Sequence, residues 1–339
     1  MEAANNKLIL DPDLLQIPNR QQIIEWVRQW SGSTVDAVLE SQTHIYSIAK
    51  IEGFIAYRIS HGCAVVFGEP ICAVNDREIL TKSFHQFMVS KNRRIIYLIV
   101  TQEFAQWAIN NVCKALFQFG DELYLNPQSD PSKTSGSNSR LIRKKIKHAA
   151  LEGVTVQEYF PHHIALENAI DAVSQQWLKK HRGHLHISAL SLFNHRIGKR
   201  WFYAKVQNKI VGVVVLNQIK AKQGWFLNNL LVIPEAPHGT SELLVITVVK
   251  TLAKESSHYV NLGMVPNSNP GKFIGLNKFS SGLIHMTFRF AHYLGHLEGL
   301  NVFWSKFNPI KSPGYILLSR KSFGLRELLA IKNVSYDVK

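Results

Sequence analysis

The chain has 339 residues, of which 46% are hydrophobic, and this length and composition are typical of a globular protein with two domains. Its formal net charge of +15 indicates a polyanionic partner such as nucleic acid, an anionic membrane or a phosphorylated substrate. No stretch reaches the roughly 18 apolar residues of a spanning helix, and the N-terminal residues lack the pattern of a secretory signal, so we predict a cytoplasmic protein with at most peripheral membrane contact.

The first half of the chain alternates between predicted helices and strands. In chain order we predict a helix over 19–30, paired strands over 44–60 and 62–74, a helix over 78–91, a strand over 93–100, a helix over 103–116 and a strand over 121–126. This order predicts a mixed α/β unit.

A loop over 126–139, rich in Ser, Asn, Pro and Gly, is predicted to separate two domains, 1–138 and 139–339. It lacks the GK[ST] ending of a phosphate-binding P-loop. The second domain is predicted to open with a basic connecting helix over 139–153, which Ser139 would cap and Gly153 would end.

This connecting helix carries four cations at helical spacing, on the face opposite Ile142, Ile146 and Ala149. We call them the basic ridge: Arg140, Arg143, Lys144 and Lys147. Such a ridge suits the phosphates of a polyanion, and a solvated helix face is the alternative interpretation.

The second half repeats the order of the first. We predict a helix over 163–180, strands over 200–220 with a turn at Gln207 and Asn208, a strand over 224–233, a helix over 241–256 and a strand over 259–265. Strands followed by a strand–helix–strand unit are the order of the GNAT-type acyltransferase fold, and two such units predict a tandem, duplicated GNAT fold.

Metal binding is not expected from the cysteine and histidine pattern. The three cysteines, Cys63, Cys72 and Cys113, have no CxxC spacing and are predicted to be buried apolar side chains. His181, His184 and His186 have no carboxylate or cysteine at ligand spacing, so we predict surface histidines and no metal.

The turn over 234–240, PEAPHGT, leads from the predicted central strand of the second half into its helix. In a GNAT fold the backbone N–H groups of this turn hold a phosphate of the donor, because a helix N-terminus is electropositive. The turn lacks the Q/RxxGxG/A pattern that wraps the pyrophosphate of acetyl-CoA, which makes coenzyme A a weaker candidate.

Two motifs resemble a known family. APHGTSELLV (236–245) and LGMVP (262–266) are similar to APNGTMDFLF and LGMAP of the C-terminal catalytic domain of phosphatidylglycerol lysyltransferases and alanyltransferases. The similarity extends to FGEP (67–70), QFGDELYL (118–125) and SKFNPIKSPGYILL (305–318). The resemblance implies a peripheral enzyme that moves an aminoacyl group from aminoacyl-tRNA to the hydroxyl of phosphatidylglycerol or another anionic membrane lipid, with neither metal nor cofactor.

The resemblance and side-chain chemistry together suggest catalytic roles for three residues. Lys306 matches the lysine of the family's KF motif and would stabilise the oxyanion or hold the terminal phosphate of tRNA. His238 stands where the family often has Asn, and its own imidazole, not the resemblance, suggests that it would relay the proton. Glu242, where the family has Asp, would hold the ammonium of the amino acid. A surface lysine, a loop histidine and a carboxylate that the helix dipole favours are the structural alternatives.

Six further positions are candidates for substrate binding: Asn228, Asn229, Gly239, Thr240, Met264 and Tyr315. Gly239 and Thr240 would supply backbone donors and a cap, and Tyr315 would line the pocket or fill the core. Asn228 to Leu231 replace the family's DLMR, and Gly314 replaces its Arg, so the amino acid and the lipid remain open.

Three other functions stay open. A peptidoglycan-bridge type aminoacyltransferase would use the same donor with an amine acceptor. A non-catalytic module would only bind RNA or an anionic membrane through the basic ridge. An acetyl-CoA N-acyltransferase would be stabilised by coenzyme A. The oligomeric state is not predicted.

Overall fold

The computed structural model describes residues 9–10, 18–32, 37–40, 42–160, 163–180, 192–294 and 297–336. The strands are β1 Ile9–Leu10, β2 His44–Tyr46, β3 Gly53–Ser60, β4 Cys63–Phe67, β5 Ile71–Cys72, β6 Arg94–Val100, β7 Ala115–Leu125, β8 Val154–Tyr159, β9 Lys199–Val206, β10 Lys209–Ile219, β11 Gly224–Val232, β12 Val260–Pro266, β13 Phe273–Ile274 and β14 Ile310–Leu318. The α-helices are α1 Arg20–Trp30, α2 Arg77–Ser90, α3 Gln102–Asn111, α4 Ser137–Leu151, α5 Ile164–Lys180, α6 Thr240–Lys254, α7 Lys278–Leu294, α8 Leu297–Ser305 and α9 Leu325–Tyr336.

The strands of both halves form one mixed sheet in the order β1-β2-β3-β4-β6-β14-β7-β12-β11-β10-β9-β8, with β5 beside β3 and β13 beside β7. The halves meet where β12 pairs antiparallel with β7. The late strand β14 lies between β6 and β7 and pairs antiparallel with both. The predicted α/β class is therefore confirmed, and the domain boundary at 138/139 stays a prediction.

Helix α4 differs from its prediction at the N-terminus. It begins at Ser137, with Gly136 as N-cap, and Ser139 lies within the first turn, where its hydroxyl contacts the Thr134 hydroxyl at 2.5 Å. Ser139 is therefore a buried residue of the helix and not its cap. The predicted end is confirmed, because Gly153 follows the helix with a φ of 79° that favours glycine.

The predicted helix over 103–116 is wrong at its C-terminus. Helix α3 ends at Asn111, and β7 begins at Ala115. Leu116 and Phe117 pack into different hydrophobic clusters, as consecutive side chains of a strand do. The Lys114 N–H also donates to the Leu318 carbonyl of β14, so pairing with a distant strand overrides the local helical pattern.

Three hydrophobic clusters support the sheet. One includes side chains of α2 and α3 in the first half, a second includes α1, α7 and α9, and the third includes α4, α5 and α6 with Trp304 of α8. Cys63, Cys72 and Cys113 are buried, as predicted. His181, His184 and His186 lie outside the described residues.

Each half contains a parallel strand–helix–strand unit. In the first, β4–α2–β6, the two strands pair continuously from Cys63 to Phe67. In the second, β11–α6–β12, pairing stops after Trp225 with Val260 and Phe226 with Asn261. We call them the closed unit and the open unit.

Each strand of the open unit carries a bulge just after the pairing stops. The register of β11 against β10 skips Asn228, and the register of β12 against β7 skips Leu262. A bulge bends its strand and is common beside functional sites, so the bulges account for the divergence of β11 and β12.

Candidate functional site

The turn before α6 is fixed by tight packing against α4. Gly239 has a φ of 94°, and a Cβ at this position would lie 2.1 Å from the Lys145 carbonyl oxygen. The backbone N–H and hydroxyl of Thr240 both donate to the Pro237 carbonyl, at 3.2 and 2.7 Å. Within the described part of the chain, the N–H groups of Ser241 and Glu242 have no hydrogen-bond partner. They are open donors at an electropositive helix end.

Lys306 and Glu242, predicted separately as catalytic residues, form an ion pair. Lys306 Nζ lies 2.5 Å from Glu242 Oε1, and the side chains are only 16% and 7% exposed. The ammonium also lies 4.4 Å from the centroid of the Phe303 ring. Lys306 follows α8 in a turn closed by the bond from Phe307 N–H to the Trp304 carbonyl, and this turn brings Lys306 over the first turn of α6.

Helix α4 lies beside both parts of this site. Near its N-terminus, Asn138 Nδ2 donates to the Ser305 carbonyl at 3.2 Å and to Asn308 Oδ1 at 2.8 Å, beside Lys306. Towards its C-terminus, His148 Nδ1 lies 3.2 Å from the His238 carbonyl oxygen. His238 itself is exposed, with its ring 6.3 Å from that of His148, and no contact joins it to the ion pair.

The basic ridge is exposed along the same helix. Arg140, Lys144 and Lys147 have no ion-pair partner among the described residues. Arg143 instead donates to the Ser132 and Thr134 carbonyls at 2.7 and 3.3 Å, so it fastens the preceding loop. The ridge therefore presents three cations to solvent beside the mouth of α6.

A cavity of about 450 Å³ lies between the two halves, on the other side of β7. Leu123 and Leu125 pack into the cluster that contains Trp304 and Phe307, whereas Glu122 and Tyr124 alternate with them and line the cavity. Three acidic side chains and two basic ones line it: Glu69, Glu103, Glu122, Arg77 and Lys222. The cavity is thus slightly acidic in a strongly basic protein.

The second-half wall of the cavity is a hydrogen-bonded chain. Asn261 Nδ2 donates to Glu122 Oε1 at 2.8 Å and to the Tyr259 hydroxyl at 3.2 Å. Burial, helped by the charge of Glu122, raises the pKa of Tyr259, so this phenol stays protonated.

On the first-half wall, Glu69 accepts a bond from the Thr101 N–H at 2.7 Å and pairs with Arg77 at 3.2 Å. FGEP includes Glu69, but the sequence assigned it no role. The other lining residues come from seven separate segments of the chain.

The remaining candidate residues for substrate binding lie partly in the cavity and partly outside it. Met264 and Gly314 line the cavity, and a Cβ at Gly314 would lie 2.1 Å from Met264 Cε, so Met264 fills the space of a side chain there. Asn228 Nδ2 donates to Asn229 Oδ1 at 2.7 Å at the β11 bulge. Tyr315 is buried in the cluster with α3, and burial raises its pKa, so the structure places it in core packing.

A strand–helix–strand unit whose strands diverge beside open helix N–H donors offers a place for an anionic group of a substrate. The model of the family described as "Phosphatidylglycerol lysyltransferase, C-terminal" matches residues 28–318, and the chain belongs to this family. It is therefore an aminoacyltransferase domain of the lysylphosphatidylglycerol synthetase type, and the resemblance seen in the motifs is confirmed.

Solved structures show the same fold. The C-terminal domain of a protein assigned as a lysylphosphatidylglycerol synthetase from Agrobacterium fabrum is 16% identical, with a TM-score of 0.76, and 94% of this chain and 98% of that chain are covered. L-PGS from Bacillus licheniformis is 17% identical, with a TM-score of 0.72, and 94% of this chain and 97% of that chain are covered. FemX is 9% identical, with a TM-score of 0.53, and 94% of this chain and 99% of that chain are covered. A comparison with curated proteins gives no match.

The tandem GNAT fold predicted from the sequence is thus confirmed. Among the described residues, no helix combines the length and apolar composition needed to cross a membrane. No group of potential metal ligands occurs in the same part of the chain.

Proposed function

We propose that this protein transfers an aminoacyl group from aminoacyl-tRNA to a lipid hydroxyl at the open unit. The observation that carries the proposal is the Lys306–Glu242 ion pair at the mouth of α6, beside the exposed cations of the basic ridge. The ridge would bind the phosphates of the acceptor end of tRNA, and the open N–H donors of Ser241 and Glu242 would receive its terminal phosphate.

The reaction exchanges one ester for another, so positioning and oxyanion stabilisation are its main requirements. The oxygen of the lipid hydroxyl would attack the ester carbonyl, and the Lys306 ammonium would stabilise the resulting oxyanion. Collapse would break the bond to the ribose oxygen, which takes up the proton lost by the hydroxyl. We assign the proton relay to His238, whose imidazole is exposed at this turn.

Glu242 would orient the amino acid. Its Oε1 binds Lys306, and its Oε2 has no hydrogen bond within the described residues, which leaves one oxygen for the ammonium of the aminoacyl group. The acceptor would approach through the cavity on the opposite side of β7, so donor and acceptor meet where β11 and β12 diverge. Met264 lines this cavity, and Asn228 lies at the bulge of β11.

No cofactor is required in this proposal. Coenzyme A would need room for a pyrophosphate at the turn before α6. The PEAPHGT turn lacks the Q/RxxGxG/A pattern that wraps a pyrophosphate. We therefore expect coenzyme A to leave the melting temperature of the protein unchanged.

The direct test incubates the purified protein with a mixture of radiolabelled aminoacyl-tRNAs and a total lipid extract. We expect label in material soluble in organic solvent, and the labelled amino acid identifies the donor. Label only in peptide-linked material, with a muropeptide precursor as acceptor, would contradict the lipid acceptor and support the bridge-forming alternative. Binding of tRNA without any transfer would support the non-catalytic alternative.

A further inference from the structure

The positive charge of the chain is concentrated near its C-terminal end. Residues 256–326 contain eight Lys and Arg residues and a single acidic residue, Glu298. This stretch therefore carries almost half of the formal net charge of +15 in about a fifth of the chain. It includes α7, which packs on the first-half part of the sheet, away from the basic ridge on α4.

Helix α7 has one face in the core and one in solvent. Ile284 is buried, and the Phe288 ring packs against the rings of Phe117 and Phe119. On the outer face, Phe279 is 79% exposed and Met286 is 62% exposed. These two side chains are seven residues apart, so they project from the same side of the helix, two turns from each other.

Exposed cations surround these two apolar side chains. Lys278 and Arg289 lie on α7 itself. The loop after β14 runs beside the start of the helix, because the Phe323 N–H donates to Ser280 Oγ at 3.0 Å, and it contributes Arg320 and Lys321. None of the four cations has an ion-pair partner within the described ranges. We call this surface the α7 face: Phe279, Met286, Lys278, Arg289, Arg320 and Lys321.

We propose that the α7 face docks the protein on an anionic lipid membrane. The inference deepens the proposed function, which supplies the lipid acceptor but not the surface that meets the membrane. A helix that lies in the membrane interface inserts its large apolar side chains among the acyl chains and keeps its basic side chains at the lipid phosphates. The α7 face has both components.

The α7 face differs in charge from the surface around Phe160, another exposed aromatic side chain. Phe160 is 75% exposed, much like Phe279, but no Lys or Arg lies within eight positions of it in the sequence, and the nearby Glu158 and Glu167 pair with Arg200 and Arg196. An anionic membrane would therefore attract the α7 face, whose four cations are unpaired within the described part of the chain, more strongly than the region around Phe160. RNA is a poorer match for the α7 face than lipid, because an exposed methionine has no favourable partner on a phosphate backbone.

The test measures co-sedimentation of the full chain with vesicles of phosphatidylcholine alone or mixed equally with phosphatidylglycerol. We expect at least about tenfold stronger partitioning onto the anionic vesicles. Phe279→Ser combined with Met286→Ser should lower this partitioning at least about tenfold. Phe160→Ser, the matched control, should change it less than about twofold. Circular dichroism verifies that each variant is folded.

A second variant replaces Lys278, Arg289, Arg320 and Lys321 with Gln, and it should lose the preference for anionic vesicles. Unchanged partitioning of the apolar double variant would overturn the proposal. So would loss of tRNA affinity in that variant with vesicle binding intact. Transfer to detergent-dispersed lipid should persist in the double variant. If the unmodified protein shows no transfer to any acceptor, the proposed function fails, and the vesicle result still decides the docking surface.

Discussion

The closed and open units are two copies of one strand–helix–strand arrangement, and they differ in how their strands pair. In the closed unit β4 and β6 stay together over five residue pairs, whereas β11 and β12 separate after two. The helix of each unit also carries a glutamate that pairs with a lysine at 2.5 Å. Lys82 and Glu78 of α2 are about half exposed, whereas Lys306 and Glu242 are almost buried. We therefore expect the open unit to hold the reacting site and the closed unit to support the fold.

The two ion pairs make the sharpest test of this difference. Lys306→Met should lower the transfer rate at least about 100-fold, because it removes the ammonium proposed to stabilise the oxyanion. It should also destabilise the protein by about 3 kcal/mol, because it leaves the Glu242 carboxylate buried and unpaired. Lys82→Met should change the free energy of unfolding by less than about 1 kcal/mol and leave transfer unchanged.

Adding Glu242→Gln to Lys306→Met should recover most of the lost stability, measured by urea denaturation, without recovering transfer. If Lys306→Met keeps more than about a tenth of the transfer rate, Lys306 does not stabilise the oxyanion. The ion pair would then only hold the turn after α8 against α6.

Backbone packing gives the next largest effect. Gly239→Ala combines a left-handed φ with a Cβ 2.1 Å from the Lys145 carbonyl oxygen, so we expect a loss of about 3 kcal/mol in the free energy of unfolding. Gly136→Ala is the matched control, because Gly136 has a φ of 111° and no atom within 4 Å of the added Cβ. Its cost should be about 1–2 kcal/mol, and equal losses would show that α4 does not press on the turn.

The closed unit should account for much of the loss of stability on acidification. Burial lowers the pKa of His85 from 6.5 to about 4, and its Nε2 lies 3.1 Å from the Tyr97 hydroxyl. As the pH falls from 6.5 to 4, the unfolded chain binds a proton that the folded chain does not, so the stability contributed above pH 6.5 is lost. We expect a loss of up to about 3 kcal/mol.

His85→Gln should remove this part of the pH dependence, measured by urea denaturation at pH 7 and pH 4.5. Transfer at pH 7 should not change, because His85 lies outside the open unit. A stability profile that keeps its full slope in the variant would contradict the assignment to His85.

The smallest effect concerns the basic ridge, which borders the open unit only. Replacing Arg140, Lys144 and Lys147 with Gln should weaken tRNA binding about tenfold and lower the slope of log affinity against log salt by about two. Arg143→Gln should affect stability more than affinity, since Arg143 donates to the Ser132 and Thr134 carbonyls. Filter binding measures this slope. An unchanged slope would contradict the proposal that the basic ridge binds tRNA.

The sequence predicted what local patterns encode. The helices α1, α2, α5 and α6 follow their apolar periodicity, and Asn19 caps α1 through its bond to the Gln22 N–H at 2.9 Å. Lys306 and Glu242 could be selected as candidates from motifs. Their pairing could not be predicted, because it depends on the turn after α8.

The cavity was also beyond prediction, for a similar reason. Glu122 and Asn261 become neighbours only when β7 pairs with β12, and the bulges that open β11 and β12 arise from cross-strand register. A periodicity pattern cannot reveal such register. The start of β7 was misread as helix because its partner β14 lies about 200 residues further along.

The position of β14 determines when the first half can finish folding during synthesis. Leu317 pairs with Tyr97, 220 positions earlier. The strand between β6 and β7 is therefore missing until the ribosome has made nearly the whole polypeptide. Until then the facing edges of β6 and β7 are unpaired and exposed to unwanted association. We therefore expect slow, late completion of the first half, and a need for chaperones during synthesis.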